Sequence, residues 1–266
     1  MQGCNSFCTS IDTSMQLSAQ QIESYEEQGF LVLPQIFAAE ELAAFNARFL
    51  ALVNGRAALS GNMKIMQDVM VVKGAVEPQS PVHAVNKLLC LEKDPELFAF
   101  ARHSKLITAV KCLLGDELYS LSSNVFNKPP GVDSRHPLHQ DLRYFTLRPA
   151  QKIIGVWTAI LPALRSTGCL AVIPGSHKRG LLEHESPDWE FVNHGFFGVR
   201  EVDVELRVHV ELQPGDTLLF HPLLIHGSGR NRSDQFRRSI SVHYAAASCT
   251  SPKGPWHNKP NIYRIT

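Results

Sequence analysis

Long apolar runs are missing from this sequence: no stretch approaches the roughly 18 to 20 residues that would span a bilayer. An excess of charge of either sign is missing too. The chain carries 26 basic and 25 acidic residues, a formal net charge of +1. Such a balance provides no broad field to draw in nucleic acid or an anionic membrane. The six cysteines, Cys4, Cys8, Cys90, Cys112, Cys169 and Cys249, form no CxxC pair and no zinc-knuckle spacing. Without a secretory pattern they are expected to be free thiols in a reducing compartment. The first sixteen residues are polar, with no basic flank leading into an apolar core. Gly3 stands one place too late for myristoylation, and Arg264-Ile265-Thr266 is not a peroxisomal tripeptide. These absences predict a soluble intracellular protein, cytoplasmic in preference to peroxisomal, whose partner is a small molecule.

What remains is an ordinary globular composition: 266 residues, 44% hydrophobic and 19% charged. At this length an all-β chain commonly forms one unit. Residues 1–16 read as a flexible tail, and residues 17–266 as a single domain, helical mainly over 17–115 with a β core over about 116–247. Ser18-Ala-Gln-Gln21 has the capping-box pattern, predicting a helix from Ala19 to Gln28 that stops at Gly29. Phe30–Leu33 follows as a short strand. Leu42, Phe45, Phe49 and Leu52 recur at helical steps up to Gly55. Asp94-Pro95 opens a third helix, and Ser104 a fourth that ends at Gly115. Beyond Gly115 helical periodicity gives way to short β-favouring runs broken by Pro and Gly, predicting strands near 118–127, 139–145, 153–160, 169–173, 206–212, 216–221, 224–228 and 237–245. Residues 174–203 form a long excursion of the kind that serves as a lid. The fold class expected is mainly β with flanking helices, a double-stranded β-helix or cupin-like jelly roll.

The chemistry centres on Arg135-His136-Pro137-Leu138-His139-Gln140-Asp141. In extended backbone alternate side chains share a face, so His139 and Asp141 project together and Gln140 points away. A third ligand is available in His221-Pro222-Leu223-Leu224-Ile225-His226-Gly227-Ser228, as His226. Two histidines and a carboxylate on one side of an ion make the facial triad of non-haem Fe(II) oxygenases. An H-x-D triplet among 12 histidines is common by chance. The alternative is a polar cluster paired and hydrogen-bonded among strands. Other histidines compete for the role. His136 precedes a proline and reads as a turn residue, His177 as a hydrogen-bonded loop residue, and His209 and His243 lie on strands with no carboxylate two places away. His194 and His221 are further rivals.

Three ordered blocks carry a family resemblance: Arg135-His-Pro-Leu-His-Gln-Asp-Leu142, Gly168-Cys-Leu-Ala-Val-Ile-Pro-Gly-Ser-His177, and Gly215-Asp-Thr-Leu-Leu-Phe-His-Pro-Leu-Leu-Ile-His-Gly-Ser-Gly229. Together with Gly29-Phe-Leu-Val32 and Asn86-Lys87, they resemble the phytanoyl-CoA dioxygenase family from about Leu17 to Ala245. The resemblance implies Fe(II) bound by His139, Asp141 and His226, which are also the catalytic residues, with 2-oxoglutarate and dioxygen as cosubstrates and ascorbate as an accessory reductant. It implies oxidative decarboxylation to succinate and CO2, coupled to hydroxylation of an aliphatic C–H bond. Presence of Asp141 favours hydroxylation, because related halogenases lack that carboxylate. The short C-terminal end and the missing peroxisomal address depart from the family pattern.

Arg237, eleven residues after His226, offers the planar fork that meets a carboxylate with two parallel hydrogen bonds. The residues alone leave it equally an exposed arginine, as Arg238 beside it is read. The resemblance implies that Arg237 takes the far carboxylate of 2-oxoglutarate. It implies further cosubstrate contacts at Lys87, Ser228, Trp157, Gln140 and Asn124. Gln140 would act through backbone or strand twist, and Asn124 departs from the family in residue type. The favoured substrate is a branched acyl-CoA such as phytanoyl-CoA, hydroxylated at its 2-position in fatty-acid α-oxidation. Arg143, Arg148, Lys178, Arg179, Arg230 and Arg232 are the basic residues that would meet CoA phosphates at the mouth. A natural-product or small-acid hydroxylase, and a non-catalytic protein binding 2-oxoglutarate or acyl chains, stand as alternatives. Oligomeric state is left open.

Overall fold

The computed structural model describes residues 15–266. The tail expected over 1–16 lies almost wholly outside the described residues. Ser18 and Gln21 form the reciprocal capping box that starts α1 (Ala19–Gln28), and Gly29, at φ +82°, ends it. After β1 (Phe30–Leu33), α2 (Ala39–Val53) buries the expected stripe of Leu42, Phe45, Phe49, Leu52 and Val53. Four short elements follow that sequence patterning did not reveal: β2 (Lys64–Gln67), α3 (Val69–Val72), α4 (Pro81–Ala84) and β3 (Val85–Leu89). The outer residues of β2 are exposed and its inner pair half-buried, so no apolar alternation marks it. Asp94 caps α5 (Pro95–Phe98), but the expected third helix continues only as a 3-10 turn over Ala99–Arg102. α6 (Ser104–Leu114) runs to Gly115 as predicted.

The second half is the β core: β4 (Leu118–Lys128), β5 (His136–His139), β6 (Ile153–Ala159), β7 (Leu170–Val172), β8 (His184–Glu185), β9 (Gly198–Val199), β10 (Val208–Val210), β11 (Thr217–Phe220), β12 (His226–Ser228), β13 (Arg237–Ala246) and β14 (Tyr263–Arg264). A large antiparallel sheet runs β1-β11-β6-β13-β4-β3-β2, with β14 pairing β4. A smaller sheet runs β10-β7-β12-β5, and β8 and β9 form a separate hairpin inside the 174–203 excursion. Contrary to the strand expected over 139–145, β5 ends at His139 and the chain turns through a 3-10 segment, Asp141–Tyr144.

The two sheets face each other. Trp157, Leu218 and Phe220 of the large sheet pack against Leu170, Val172 and Val210 of the small one. On its other face the large sheet packs Ile154, Val156, Leu219, Ile240, Val242 and Tyr244 against the helical half, including Phe49, Leu97, Phe100, Leu106 and Val110. This is the jelly roll with helices outside it. No helix among the described residues is long and apolar enough to cross a membrane.

β13 shows how the pattern builds a cavity. Its even-numbered Ile240, Val242 and Tyr244 join the helical core, while Arg237, Ser241 and His243 line the space between the sheets. Period-two alternation therefore places a row of polar groups inside the barrel without breaking the outer core.

Gly155 lies opposite Phe220 in the β6–β11 register. A Cβ there would come within 2.3 Å of Cζ of the Phe220 ring, whose centroid is 4.7 Å from that of His226. Gly155→Ala is expected to destabilise the fold by about 1–3 kcal/mol through overpacking. Thermal unfolding of the variant beside the wild type measures this directly; an unchanged midpoint would show that Phe220 yields freely.

Candidate metal centre

His139 is the last residue of β5, and Asp141 is the first of the following 3-10 turn. Gln140 between them is extended, at φ −119° and ψ 126°, so the two ligating side chains still project to one side. β12 lies between β5 and β7, with His226 directly opposite both His139 and Val172. Gly227 permits this approach: a Cβ at that position would come within 2.8 Å of the His136 carbonyl oxygen. The result brings His139, Asp141 and His226, all buried, into one cluster whose ligand atoms lie within 4.8 Å of one another.

The protons of this cluster can be assigned from its hydrogen bonds. His139 Nδ1 is 2.8 Å from the Pro137 carbonyl, and His226 Nδ1 is 3.0 Å from the Leu224 carbonyl. A carbonyl only accepts, so each Nδ1 carries hydrogen, and in the neutral ring each Nε2 keeps its lone pair. Burial pulls His226 down to about 4, which keeps it neutral near pH 7. Burial pushes the Asp141 carboxyl upward, yet the surrounding imidazoles outweigh it and hold the group well below the usual carboxylate range. His139 Nε2 is 3.1 Å from Asp141 Oδ1, and His226 Nε2 is 3.7 Å from Oδ2. With both rings neutral, two imidazole lone pairs and a carboxylate oxygen converge on one point. Such an arrangement is repulsive by itself and becomes favourable around a divalent cation, so the residues fit a bound metal.

A cavity of about 320 Å³ opens from this cluster. It is lined by His139, Asp141 and His226 together with Arg237, Lys87, Asn124, Trp157 and Ser228. Arg237 is only 2% exposed. Its Nη1 donates to Ser239 Oγ at 3.1 Å and its Nη2 to the Gly168 carbonyl at 3.2 Å, while Nε has no partner. Its guanidinium carbon lies 5.3 Å from the Trp157 ring centroid. Burial pulls its pKa down to about 9, still leaving a cation at neutral pH, and no carboxylate of the described residues pairs with it. A buried charge without a counter-ion is costly, and here the missing partner is an anion.

Lys87 is held between two aromatic rings, 4.6 Å from the Phe126 centroid and 4.4 Å from that of Phe196. Burial pulls its ammonium down to about 8, with Asp141 pulling the other way.

As strand alternation predicts, the Gln140 side chain points away from the cavity and does not line it: Nε2 donates to the Gly180 and Leu223 carbonyls, and Oε1 accepts from Leu182 N–H. It anchors the start of the excursion. Arg238 is buried, not exposed, with its guanidinium on Asn127 and Asn46 and 4.5 Å from the Phe49 ring centroid. As an even-numbered residue of β13 it faces the helices. His136 sits on β5 rather than in a turn and stacks between His139 and Phe196, at ring separations of 4.0 and 3.8 Å.

His243 has no carboxylate two places away in sequence, yet in the fold its Nε2 is 2.7 Å from Asp141 Oδ2. The signal was available in β13 alternation, since Arg237 and His243 share a face. None of Arg143, Arg148, Lys178, Arg179, Arg230 and Arg232 lines this cavity. Arg230 and Arg232 instead border a separate 750 Å³ groove with Leu138, Ala171 and Gly227, on the other face of the small sheet.

The excursion does roof the site. His194, Gly195 and Phe196 line the cavity. Asn193 fastens them, donating to Asp68 Oδ2 at 3.1 Å and accepting from Val69 N–H at 2.9 Å. Tyr144 donates its hydroxyl to the Gly195 carbonyl at 3.0 Å.

Comparison with known proteins agrees with this geometry. The phytanoyl-CoA dioxygenase (PhyH) family model matches residues 25–239. A probable phytanoyl-CoA dioxygenase of Caenorhabditis elegans is 41% identical over 237 residues, covering 86% of this chain and 75% of that one. The peroxisomal phytanoyl-CoA dioxygenase of Bos taurus is 40% identical over 238 residues, covering 88% and 70%. Among solved structures, the non-heme alpha ketoglutarate dependent carbocyclase SnoK from nogalamycin biosynthesis superposes with a TM-score of 0.68 at 21% identity, covering 94% of this chain and 97% of its own. EctD from S. alaskensis with bound Fe gives 0.68 at 24% identity, covering 87% and 78%. These two share the fold.

A divalent cation is expected to raise the unfolding midpoint, since a ligand at a hundred times its Kd adds about 2.7 kcal/mol to the folded state. His139→Ala, Asp141→Ala and His226→Ala should each remove that increment in anaerobic thermal scans with and without Fe(II). An increment that survived in any of the three would reassign that ligand.

Proposed function

The chain belongs to the phytanoyl-CoA dioxygenase family, and on that premise we propose that residues 17–266 form one Fe(II)- and 2-oxoglutarate-dependent oxygenase domain that hydroxylates an aliphatic C–H bond. The carrying observation is the pairing of two unmet demands in one cavity. Three proton-free acceptors call for a cation, and the buried, unpaired guanidinium of Arg237 calls for an anion. A divalent metal chelated by a keto acid with a second carboxylate answers both, as 2-oxoglutarate does.

His139, Asp141 and His226 would hold the iron, which when bound supplies the oxidation of the C–H bond at the expense of 2-oxoglutarate and dioxygen. The chain's own contribution is placement and exclusion of water. Arg237 takes the far carboxylate, and Trp157 flattens one wall against that guanidinium. Lys87, Ser228 and Asn124 stand on the cavity wall as further polar contacts for the cosubstrate. Phe196, stacked on His136, and Tyr144, bonded to Gly195, shield the centre from solvent. No side chain is needed as nucleophile or general base.

For the substrate, the relatives' names support a branched acyl-CoA such as phytanoyl-CoA, and the family resemblance implies its 2-position as the site of hydroxylation. A volume of about 320 Å³ lies at the small end of ligand pockets, roughly 300–1,000 Å³. It suits the cosubstrate and the reacting end of a substrate, with acyl remainder and carrier outside. The same smallness, and the absence of the six expected basic residues from the lining, favours a small acid as the second reading.

Acyl-CoAs, their free acids and small carboxylic metabolites, each scored for succinate coupled to hydroxylated product, test the assignment. Phytanoyl-CoA or a similar thioester should give coupled turnover, whereas turnover of free acids alone would exclude the CoA requirement. Arg237→Lys keeps the charge and loses the fork. Loss of a buried charge-paired partner costs about 2–5 kcal/mol, so the KM for 2-oxoglutarate should rise at least about thirtyfold; a KM unchanged by this substitution would place the far carboxylate elsewhere.

A further inference from the structure

The carboxylate of Asp141 has two oxygens in different surroundings. Oδ1 lies 3.1 Å from His139 Nε2, closer to the converging acceptors than Oδ2, which is 3.7 Å from His226 Nε2. Oδ2 lies 2.7 Å from His243 Nε2, a short contact that a carboxylate makes only with a donor. His243 Nε2 therefore carries hydrogen, and its Nδ1 faces the Ser122 hydroxyl at 3.0 Å. In the neutral ring that nitrogen accepts, so the Ser122 O–H donates to it. Ser122 and His243 are directly paired in the β4–β13 register, which fixes the two side chains on neighbouring strands of the rigid large sheet. Both line the cavity.

We propose that His243 is a positioning residue that holds Asp141 Oδ2, leaves Oδ1 as the single oxygen offered to the metal, and is itself kept in the donating tautomer by Ser122. The idea rests on the triad reading above. A carboxylate free to turn could present both oxygens and occupy a coordination position that 2-oxoglutarate or dioxygen needs. With Oδ2 engaged by a hydrogen bond from an inflexible sheet, that second attachment is disfavoured. His243 has no place among the three converging acceptors, because its Nε2 points a proton, not a lone pair, at Asp141. The large sheet thus steers a ligand supplied by the loop after β5.

Anaerobic titration with Fe(II), followed by 2-oxoglutarate, reads the effect apart from turnover, through metal affinity and the visible charge-transfer band of the chelate. Removing such a supporting hydrogen bond typically weakens metal binding about 10–100-fold. His243→Phe should therefore lose Fe(II) affinity by about that factor and give a weakened or displaced band. His243→Gln, whose amide N–H reaches nearly the same point, should recover to within a few-fold of the wild type.

Ser122→Ala removes only one hydroxyl and so reports even if the bulkier change impairs folding; it should shift affinity in the same direction by a smaller factor. Wild-type affinity and an unaltered band in both His243→Phe and Ser122→Ala would overturn the proposal. Equal loss in His243→Phe and His243→Gln would overturn it as well, by pointing to packing instead of donation. A wild type that binds Fe(II) yet gives no band with 2-oxoglutarate would sink the cosubstrate reading itself, an outcome separate from any difference among the variants.

Discussion

The structure depends on a local electrostatic misfit. With both rings neutral, two imidazole lone pairs and a carboxylate oxygen are pressed together at a buried point where mutual repulsion is poorly screened. The protein creates the misfit with backbone carbonyls. The carbonyls of Pro137 and Leu224 each accept a hydrogen bond from Nδ1 of the histidine two residues later, and so turn both Nε2 lone pairs toward the same point. Only a cation relieves this arrangement, and the rest of the barrel is organised to keep it available to one.

That organisation divides between the sheets. The small sheet carries His139 and His226 on adjacent strands, held close by Gly227. The large sheet supplies what surrounds them: Trp157 from β6, Phe220 from β11, and Arg237, Ser241 and His243 from β13. Strand β13 is fully buried along its length, with one face packed on helices and the other turned to the cavity. Its cavity face carries a cation without a counter-ion, Arg237, at one end and a hydrogen-bond donor to Asp141, His243, at the other. The helical half contributes little chemistry of its own. Through Phe49, Leu97 and Val110 it stiffens the sheet from behind, so the positions of Arg237 and His243 are not free to drift.

The parts visible from sequence were those written in local pattern. The Ser18–Gln21 box, the Leu42–Val53 stripe and the H-x-D spacing each follow from rules that act over a few residues, and each took the expected form. The triad itself was legible because His139 and Asp141 are neighbours in the chain and the later run His221–Ser228 offers His226, in keeping with the family blocks. Elements with weak local signal escaped: β2 has no alternation, and the strand drawn over 139–145 breaks after His139. Arg238 was misjudged, and the contact of His243 with Asp141 was not foreseen, for one reason. Arg238 is set by Asn127, opposite it on β4, and His243 by Asp141 in the turn after β5, each more than a hundred residues away in sequence. No spacing along the chain reports such a pairing. Arg230 and Arg232 look like mouth residues in sequence because they follow the metal-bearing strand. In space the small sheet stands between them and the cavity.

The central claim is that His139, Asp141 and His226 share one metal ion. X-ray diffraction from crystals grown with a divalent transition metal, recorded at its absorption edge, tests it most directly. The account predicts a single strong anomalous peak about 2 Å from His139 Nε2, one Asp141 oxygen and His226 Nε2, inside the cavity that Arg237 also lines. A peak held by other residues, or full-occupancy metal elsewhere with these three side chains bonded only to one another, would contradict it.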